Sequence, residues 1–182
     1  MDKKPINIGI IGLGTVGMGL IKCLKNNRKI INSKSEREIF IAAICAKNKN
    51  KNRDFDIGNL KWVQDPFDIT DDKEIDLVVE LIGGDENPSK SIVEKSLLNK
   101  KHVVTANKAL IAKHGHYLAL LAEEQQVCLN FEAAVAGAIP IIKAIKESLS
   151  GNNISKVYGV INGTCNYILT QMEKEENEYT TV

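Results

Sequence analysis

The sequence predicts an α/β fold built on a doubly wound parallel sheet, and three observations predict it. Apolar runs rich in β-branched residues recur at 6–11, 39–45, 75–82, 101–105 and 127–131, the length and texture of strands buried on both faces. Helical patterns separate most of these runs at a spacing that suits βαβ units with right-handed crossovers. The first run flows directly into Gly12-x-Gly14-x-x-Gly17, which opens a helical pattern.

The first strand is Ile6, Ile8, Ile10 and Ile11 with their neighbours, and the helix after it shows Val16, Leu20, Ile21 and Leu24. It is expected from about Thr15 to Lys25, ending near Asn26 and Asn27. Between strand and helix, Gly12 suits a tight turn, Gly14 a close backbone approach to a pyrophosphate, and Gly17 close packing of helix on strand. The helix N-terminus offers free N–H groups and a partial positive charge to phosphates. Glycines alone are weak evidence; a strand before and a helix after make this a dinucleotide site on a Rossmann-type sheet.

The bulk properties bound the remainder. A chain of 182 residues accommodates one domain of about 100–150 residues and part of another. Hydrophobic residues at 43% and charged residues at 26% are ordinary for a soluble globular chain. A net charge of +1 implies no general attraction to nucleic acid or to a membrane surface. No apolar run reaches the roughly 18 residues of a membrane span, and the N-terminus lacks a signal-peptide layout. Cys23, Cys45, Cys128 and Cys165 are far apart and form no metal-type pairs. Three of them stand in apolar surroundings and read as buried thiols, so a reducing, cytoplasmic home is expected.

Taken in order, residues 29–37 are polar and basic and read as a solvated connection to the second strand at 39–45. Residues 47–53 form a low-complexity basic loop. Trp62 and Val63 suggest a short element before Asp65 and Pro66, and Asp71-Asp72 a helix start or turn. The strand at 75–82 ends at Gly83-Gly84. Pro88 and Ser89 open a helix expected to place Ile92, Val93, Leu97 and Leu98 on one face. The strand at 101–105 precedes a helix over about 109–124 that includes Leu110, Ile111, Leu118, Leu120 and Leu121, and 127–131 is a further strand.

The texture changes after Phe131. Residues 132–138 are rich in small side chains, which places a domain boundary near Glu132: a dinucleotide-binding domain over 1–131 and a second domain over 132–182. Ile139 and Pro140 begin a helix to about Leu149, since proline suits a first helical turn. Residues 154–161 read as a strand, an apolar edge prone to pairing with another chain. Asn162, Gly163 and Thr164 then turn into a last helix. There are no internal repeats.

Ligands of open α/β sheets bind beyond the carboxyl ends of the strands, so the informative loops begin at Gly12, Lys47, Gly83, Thr105 and Glu132. An acid after the second strand holds the ribose of NAD, whereas a base tolerates the 2′-phosphate of NADP. Here Ala46-Lys47-Asn48-Lys49 contains no acid, so Lys47 favours NADP over NAD; a plain solvated loop is the alternative. Lys108, at the mouth of a sheet strand, can polarise a carbonyl oxygen beside a nicotinamide, and burial there would lower its pKa. His102, His114 and His116 are scattered, and the last two do not share a helix face; all read as structural or solvated. Glu132 and nearby backbone carbonyls can hold a hard cation.

Five segments together resemble one family. GLGTVG at 12–17, VVELIGG at 78–84, HVVTANKALIA at 102–112, FEAAVAGAIPIIK at 131–143 and NGTCNYIL at 162–169 are similar, in order, to the N-terminal part of homoserine dehydrogenases. The resemblance implies NADPH- or NADH-dependent interconversion of aspartate 4-semialdehyde and homoserine, on the route to threonine, methionine and isoleucine. It implies cofactor contacts at Gly12, Leu13, Gly14, Thr15, Val16, Gly83, Thr105 and Lys108, beside Gly17 from the loop geometry. It puts Lys108 at the reaction centre, and a sodium site on Glu132, Val135, Gly137 and Ile139. Residues 132–182 correspond to the start of an α+β substrate and dimerisation domain, so a homodimer or a complementary chain is expected. Family members continue past the last helix with a GlyTyrAlaGlu-like segment and an Asp…Lys pair that hold and protonate the substrate. This chain stops at Val182 before them, so it is expected to be incomplete or inactive alone. A degenerate dinucleotide-binding remnant and another Rossmann enzyme, such as a methyltransferase, are the competing readings.

Overall fold

The computed structural model describes residues 4–53, 55–159, 162–175 and 178–179. The chain divides into two compact units, residues 1–142 and 143–182. In the first unit, β1 (Ile6–Ile11), β2 (Ile39–Cys45), β3 (Leu77–Glu80), β4 (His102–Thr105) and β5 (Leu129–Asn130) form one sheet in the order β2-β1-β3-β4-β5. Every neighbouring pair is parallel. The order reverses at β1, which lies between β2 and β3. The architecture is a doubly wound, Rossmann-type α/β sheet.

Register decides what the sheet presents. Ile11 pairs with Cys45 on one side and Glu80 on the other, and Glu80 pairs with Thr105. Four strands therefore end at one level, and their loops leave the sheet side by side. The last four residues of β1 are all buried, the texture of a strand covered on both faces rather than one. Ile10, Val78 and Val103 are wholly inaccessible, and full burial of such side chains contributes about 1.5–3 kcal/mol each.

The covering helices are α1 (Thr15–Asn26), α3 (Pro66–Asp71), α4 (Ser89–Leu98) and α5 (Lys108–Glu124). Ile21 of α1 joins a core with Ile8, Ile10, Ile41 and Ile44. Val93 and Leu97 of α4 meet Leu110, Leu118 and Leu121 of α5 over β4 and β5. Leu98 and Leu120 are not part of these faces; each is 53% exposed, because one helical turn carries the stripe past them. Lys101, just before β4, is buried, and its Nζ donates to the carbonyls of Asp72 (2.5 Å) and Ile75 (2.7 Å). Burial pushes its pKa down despite Asp72, Asp76 and Asp71 nearby.

Several expectations are corrected. The supposed solvated connection contains α2 (Arg28–Ser35), which restarts the helix after Asn27: Asn27 N–H donates to Cys23 O, and its carbonyl accepts from Ile31 N. None of its residues is buried, so the apolar signal was too thin to show the period. Asp65 and Pro66 begin α3, with the Asp65 carboxylate accepting from Phe67 N at 2.9 Å. Of the two readings of Asp71-Asp72 the turn holds: Asp71 ends that helix, and Asp72 makes the turn after it by accepting from Glu74 N. Of the cysteines only Cys45 is buried; Cys23, Cys128 and Cys165 are exposed, and all four are free. Burial, helped by Asp65 and Asp68, pushes the Cys45 thiol up to about 11, where it is unreactive.

Beyond β5, residues 132–135 form a short helix, α6 (Glu132–Val135), within the first unit. The helix expected from Ile139 begins as α7 (Ile141–Lys143) and continues as a π-helical turn, Ala144–Ser148. In the second unit, residues 154–159 form no strand, and 160 and 161 lie outside the described residues. A strand exists only with a partner, and among the described residues none lies beside this segment. The last helix is α8 (Gly163–Glu175), with Asn162 Oδ1 accepting from Cys165 N at 3.0 Å.

Candidate dinucleotide site

The first loop is built by steric necessity. Gly12 has φ +104°, and a Cβ there would stand 2.5 Å from Leu81 O; no other residue fits. Its N–H donates to Cys45 O at 2.9 Å, while Leu81 N donates to Ile11 O at 2.7 Å. The turn is thus tied to the loops after β2 and β3. A Cβ on Gly17 would lie 2.1 Å from Gly12 O, so α1 rests directly on the turn. Gly14, the N-cap of α1, has nothing within 4 Å of its ideal Cβ. Open space thus faces the one glycine whose neighbouring amides begin the helix. Leu13 is buried, whereas Thr15 and Val16 are exposed at the first turn.

A buried polar chain joins the loops after β3 and β4. Glu80, wholly inaccessible at the end of β3, accepts from Ile82 N (2.8 Å) and Gly83 N (3.4 Å) through Oε1. Its Oε2 accepts from the Thr105 hydroxyl at 2.7 Å, and that hydroxyl accepts from Asn107 N at 3.0 Å. Asn107 Oδ1 caps α5 by accepting from Leu110 N (3.1 Å), and Nδ2 donates to Gly84 O (2.6 Å). Ser89 adds a bond to Gly83 O at 2.8 Å. Gly83 and Gly84, both at φ +88°, are therefore fixed by side chains from three elements.

This chain assigns new roles and limits old ones. The Thr105 side chain is committed to Glu80 and Asn107 inside the protein. Lys108 is the first residue of α5 and is exposed. Lys47 is exposed beyond β2 and has no partner among the described residues. Gly12–Gly17, Gly83, Thr105 and Lys108 gather at the ends of three adjacent strands, with Lys47 at the fourth. Glu80 and Asn107 were missed. An acid inside an apolar strand run was the available signal for Glu80, and an Asn before a helical pattern the signal for Asn107.

The second candidate set lies past β5. One oxygen of Glu132 accepts from Ile142 N at 2.8 Å, and Ile139 O accepts from Ile141 N. Val135 O and Gly137 O take no backbone hydrogen bond among the described residues. No group of three or more His, Cys, Asp and Glu capable of holding a metal occurs among the described residues. His102 is structural: its Nδ1 accepts from Cys128 N at 3.0 Å.

Residues 12–132 match the family model for the NAD-binding domain of homoserine dehydrogenase, and residues 140–182 match that for homoserine dehydrogenase itself. The chain belongs to the homoserine dehydrogenase family. It is 45% identical over 179 residues to the homoserine dehydrogenase of Neisseria gonorrhoeae, covering 98% of this chain and 41% of that one. The crystal structure of a homoserine dehydrogenase from Thiobacillus denitrificans superposes with a TM-score of 0.91 at 43% identity, over 100% of this chain and 42% of that chain. A hyperthermophilic archaeal homoserine dehydrogenase in complex with NADPH matches with a TM-score of 0.81 at 26% identity, over 98% and 59%. The chain therefore spans about two fifths of the length of the curated homoserine dehydrogenases it matches. No helix among the described residues is long and apolar enough to cross a membrane.

Proposed function

We propose that this chain forms the cofactor-binding part of a cytoplasmic homoserine dehydrogenase that interconverts aspartate 4-semialdehyde and homoserine with NADP(H) or NAD(H). The observation that carries this reading is the common level at which β1, β3 and β4 end. It sets the Gly12–Gly17 turn, the rigid Gly83-Gly84 loop and Lys108 along one edge of the sheet at its switch point, where dinucleotides bind. The family match over both segments supports an enzyme over a dinucleotide-binding remnant or an unrelated Rossmann protein. It also changes between 132 and 140, which supports a functional boundary near Glu132.

A reduced nicotinamide held by Gly12–Gly17, Gly83, Thr105 and Lys108 would supply hydride chemistry toward the aldehyde carbon. The chain's own part is to hold pyrophosphate at the N-terminus of α1 and to present the Lys108 ammonium to the oxygen that gains negative charge. The side chain is exposed and unpaired among the described residues, so no competing carboxylate neutralises it. We also assign Glu132, Val135, Gly137 and Ile139 to a monovalent cation. Support comes from the two carbonyls without backbone partners and from a carboxylate in the same segment, oxygen donors that suit a hard ion.

Titration with NADPH and NADH, followed by homoserine oxidation assays, tests the reading. The 182-residue chain is expected to bind cofactor and to turn over little, because effective molarity from substrate-positioning groups is worth several kcal/mol of barrier. Lys108→Ala should abolish the residual rate while leaving stability within about 0.5 kcal/mol, as for an exposed site. Rapid turnover by the chain alone, or full activity in Lys108→Ala, would overturn the respective assignment.

A further inference from the structure

The basic loop after β2 is not a loose solvated segment. Arg53 donates to three successive parts of it: Nη2 to Asn48 O at 2.7 Å, and Nη1 to Lys51 O at 2.9 Å and Lys49 O at 3.2 Å. Its guanidinium lies over the Trp62 ring, 5.5 Å from the centroid. Trp62 is in turn locked to the sheet. It forms a parallel bridge to Ile44 of β2, flanked by Ile44 N donating to Lys61 O (2.9 Å) and Val63 N donating to Ile44 O (3.0 Å). Phe55, Ile57 and Leu60 pack with it against the core of β1, β2 and α1. The Nε–H of Arg53 is buried with no acceptor among the described residues, a cost that an arginine free in solvent would not incur.

The result is a rigid loop carrying concentrated positive charge. Lys47, Lys49 and Lys51 are exposed, and their ammonium groups have no partner among the described residues. Like charges so close repel, and a preorganised cluster of them relaxes on meeting an anion. The loop begins two residues after Cys45, whose carbonyl holds the N–H of Gly12, so it flanks the turn assigned to pyrophosphate.

We propose that Arg53 is a positioning residue for cofactor choice: latched on Trp62, it fixes the backbone of residues 48–51 so that the lysines meet a 2′-phosphorylated adenosine. The proposal rests on the dinucleotide site assigned above. Arg53 acts through the loop and does not touch the ligand. Its planar fork is what spans three carbonyls and stacks on an indole, and a lysine ammonium does neither as well.

The test measures dissociation constants of NADPH and NADH for the full chain, Arg53→Ala and Arg53→Lys at low and moderate salt. Arg53→Ala is expected to weaken NADPH about tenfold and NADH by less than about twofold, the size of one charge-assisted contact. Arg53→Lys should fall with it, and both should show a flatter salt dependence for NADPH. Trp62 is the single tryptophan, so its emission should change on adding 2′,5′-ADP and not on adding 5′-AMP. Equal losses for both cofactors, a parent-like Arg53→Lys, or a silent Trp62 would overturn the latch while the dinucleotide site stands. A parent chain that binds neither cofactor would remove both. If Arg53→Ala fails to fold, Arg53→Lys and the parent's Trp62 emission decide.

Discussion

Gly14 and Gly17 are three positions apart, yet an added side chain meets open space at one and backbone at the other. At Gly17 the new carbon would sit 2.1 Å from Gly12 O, so α1 must lift from the turn. Gly17→Ala is expected to cost about 1–3 kcal/mol, as overpacking does, even after the better helix propensity of alanine. At Gly14 nothing is displaced. Gly14→Val should cost about 1 kcal/mol or less, from a weaker helix cap, and yet reduce NADPH affinity at least about tenfold by filling the phosphate position. Urea unfolding and cofactor titration of the two variants separate these effects. Unchanged affinity in Gly14→Val would mean that phosphate does not bind there.

At the scale of elements, the junction of β4 with α5 joins structure to site through one side chain. Asn107 caps the helix with its oxygen and holds Gly84 O with its nitrogen. Asn107→Asp keeps a good cap, and a carboxylate suits the positive end of the helix. The same change replaces the donor to Gly84 O by an oxygen that repels it. The variant is expected to unfold within about 1 kcal/mol of the parent, while cofactor affinity drops because the Gly83-Gly84 loop loosens. Denaturant titration beside NADPH binding checks this, and undiminished binding would show that the nitrogen does not matter to the site.

At the scale of the whole molecule, exposed apolar side chains bear on assembly. Ile154, Val157, Tyr158, Tyr167 and Leu169 are all exposed, Tyr158 at 86%. We propose that this apolar surface is an interaction face. We expect light scattering at micromolar concentration to give at least a dimer, formed through residues after about Glu132. Val157→Glu should lower the mass, since a buried, unpaired charge opposes association. A parent chain of strictly monomer mass would refute the assignment. Residues 154–159 form no strand, so any association expected there would rest on side-chain contact rather than edge pairing.

The five strands, the glycine turn and the helices α1, α4 and α5 were legible in the amino-acid sequence because their signals are local. Periodicity, β-branching and glycine spacing are read within a dozen residues, and they place Gly12–Gly17, Gly83, Thr105 and Lys108 at strand ends without reference to distant partners. The resemblance of five segments also identified the family from the sequence. What only the tertiary structure decided is what those residues are bonded to. Glu80 meets Thr105 across 25 positions of chain, and Asn107 meets Gly84 across 23. Trp62 becomes an anchor only because β2 lies beside it, which turns a low-complexity basic run into an ordered loop around Arg53. The exposure of Lys108 and of three cysteines was decided in the same way. Burial and hydrogen-bond partners depend on which segments the fold brings together, and no local pattern of residue types encodes that.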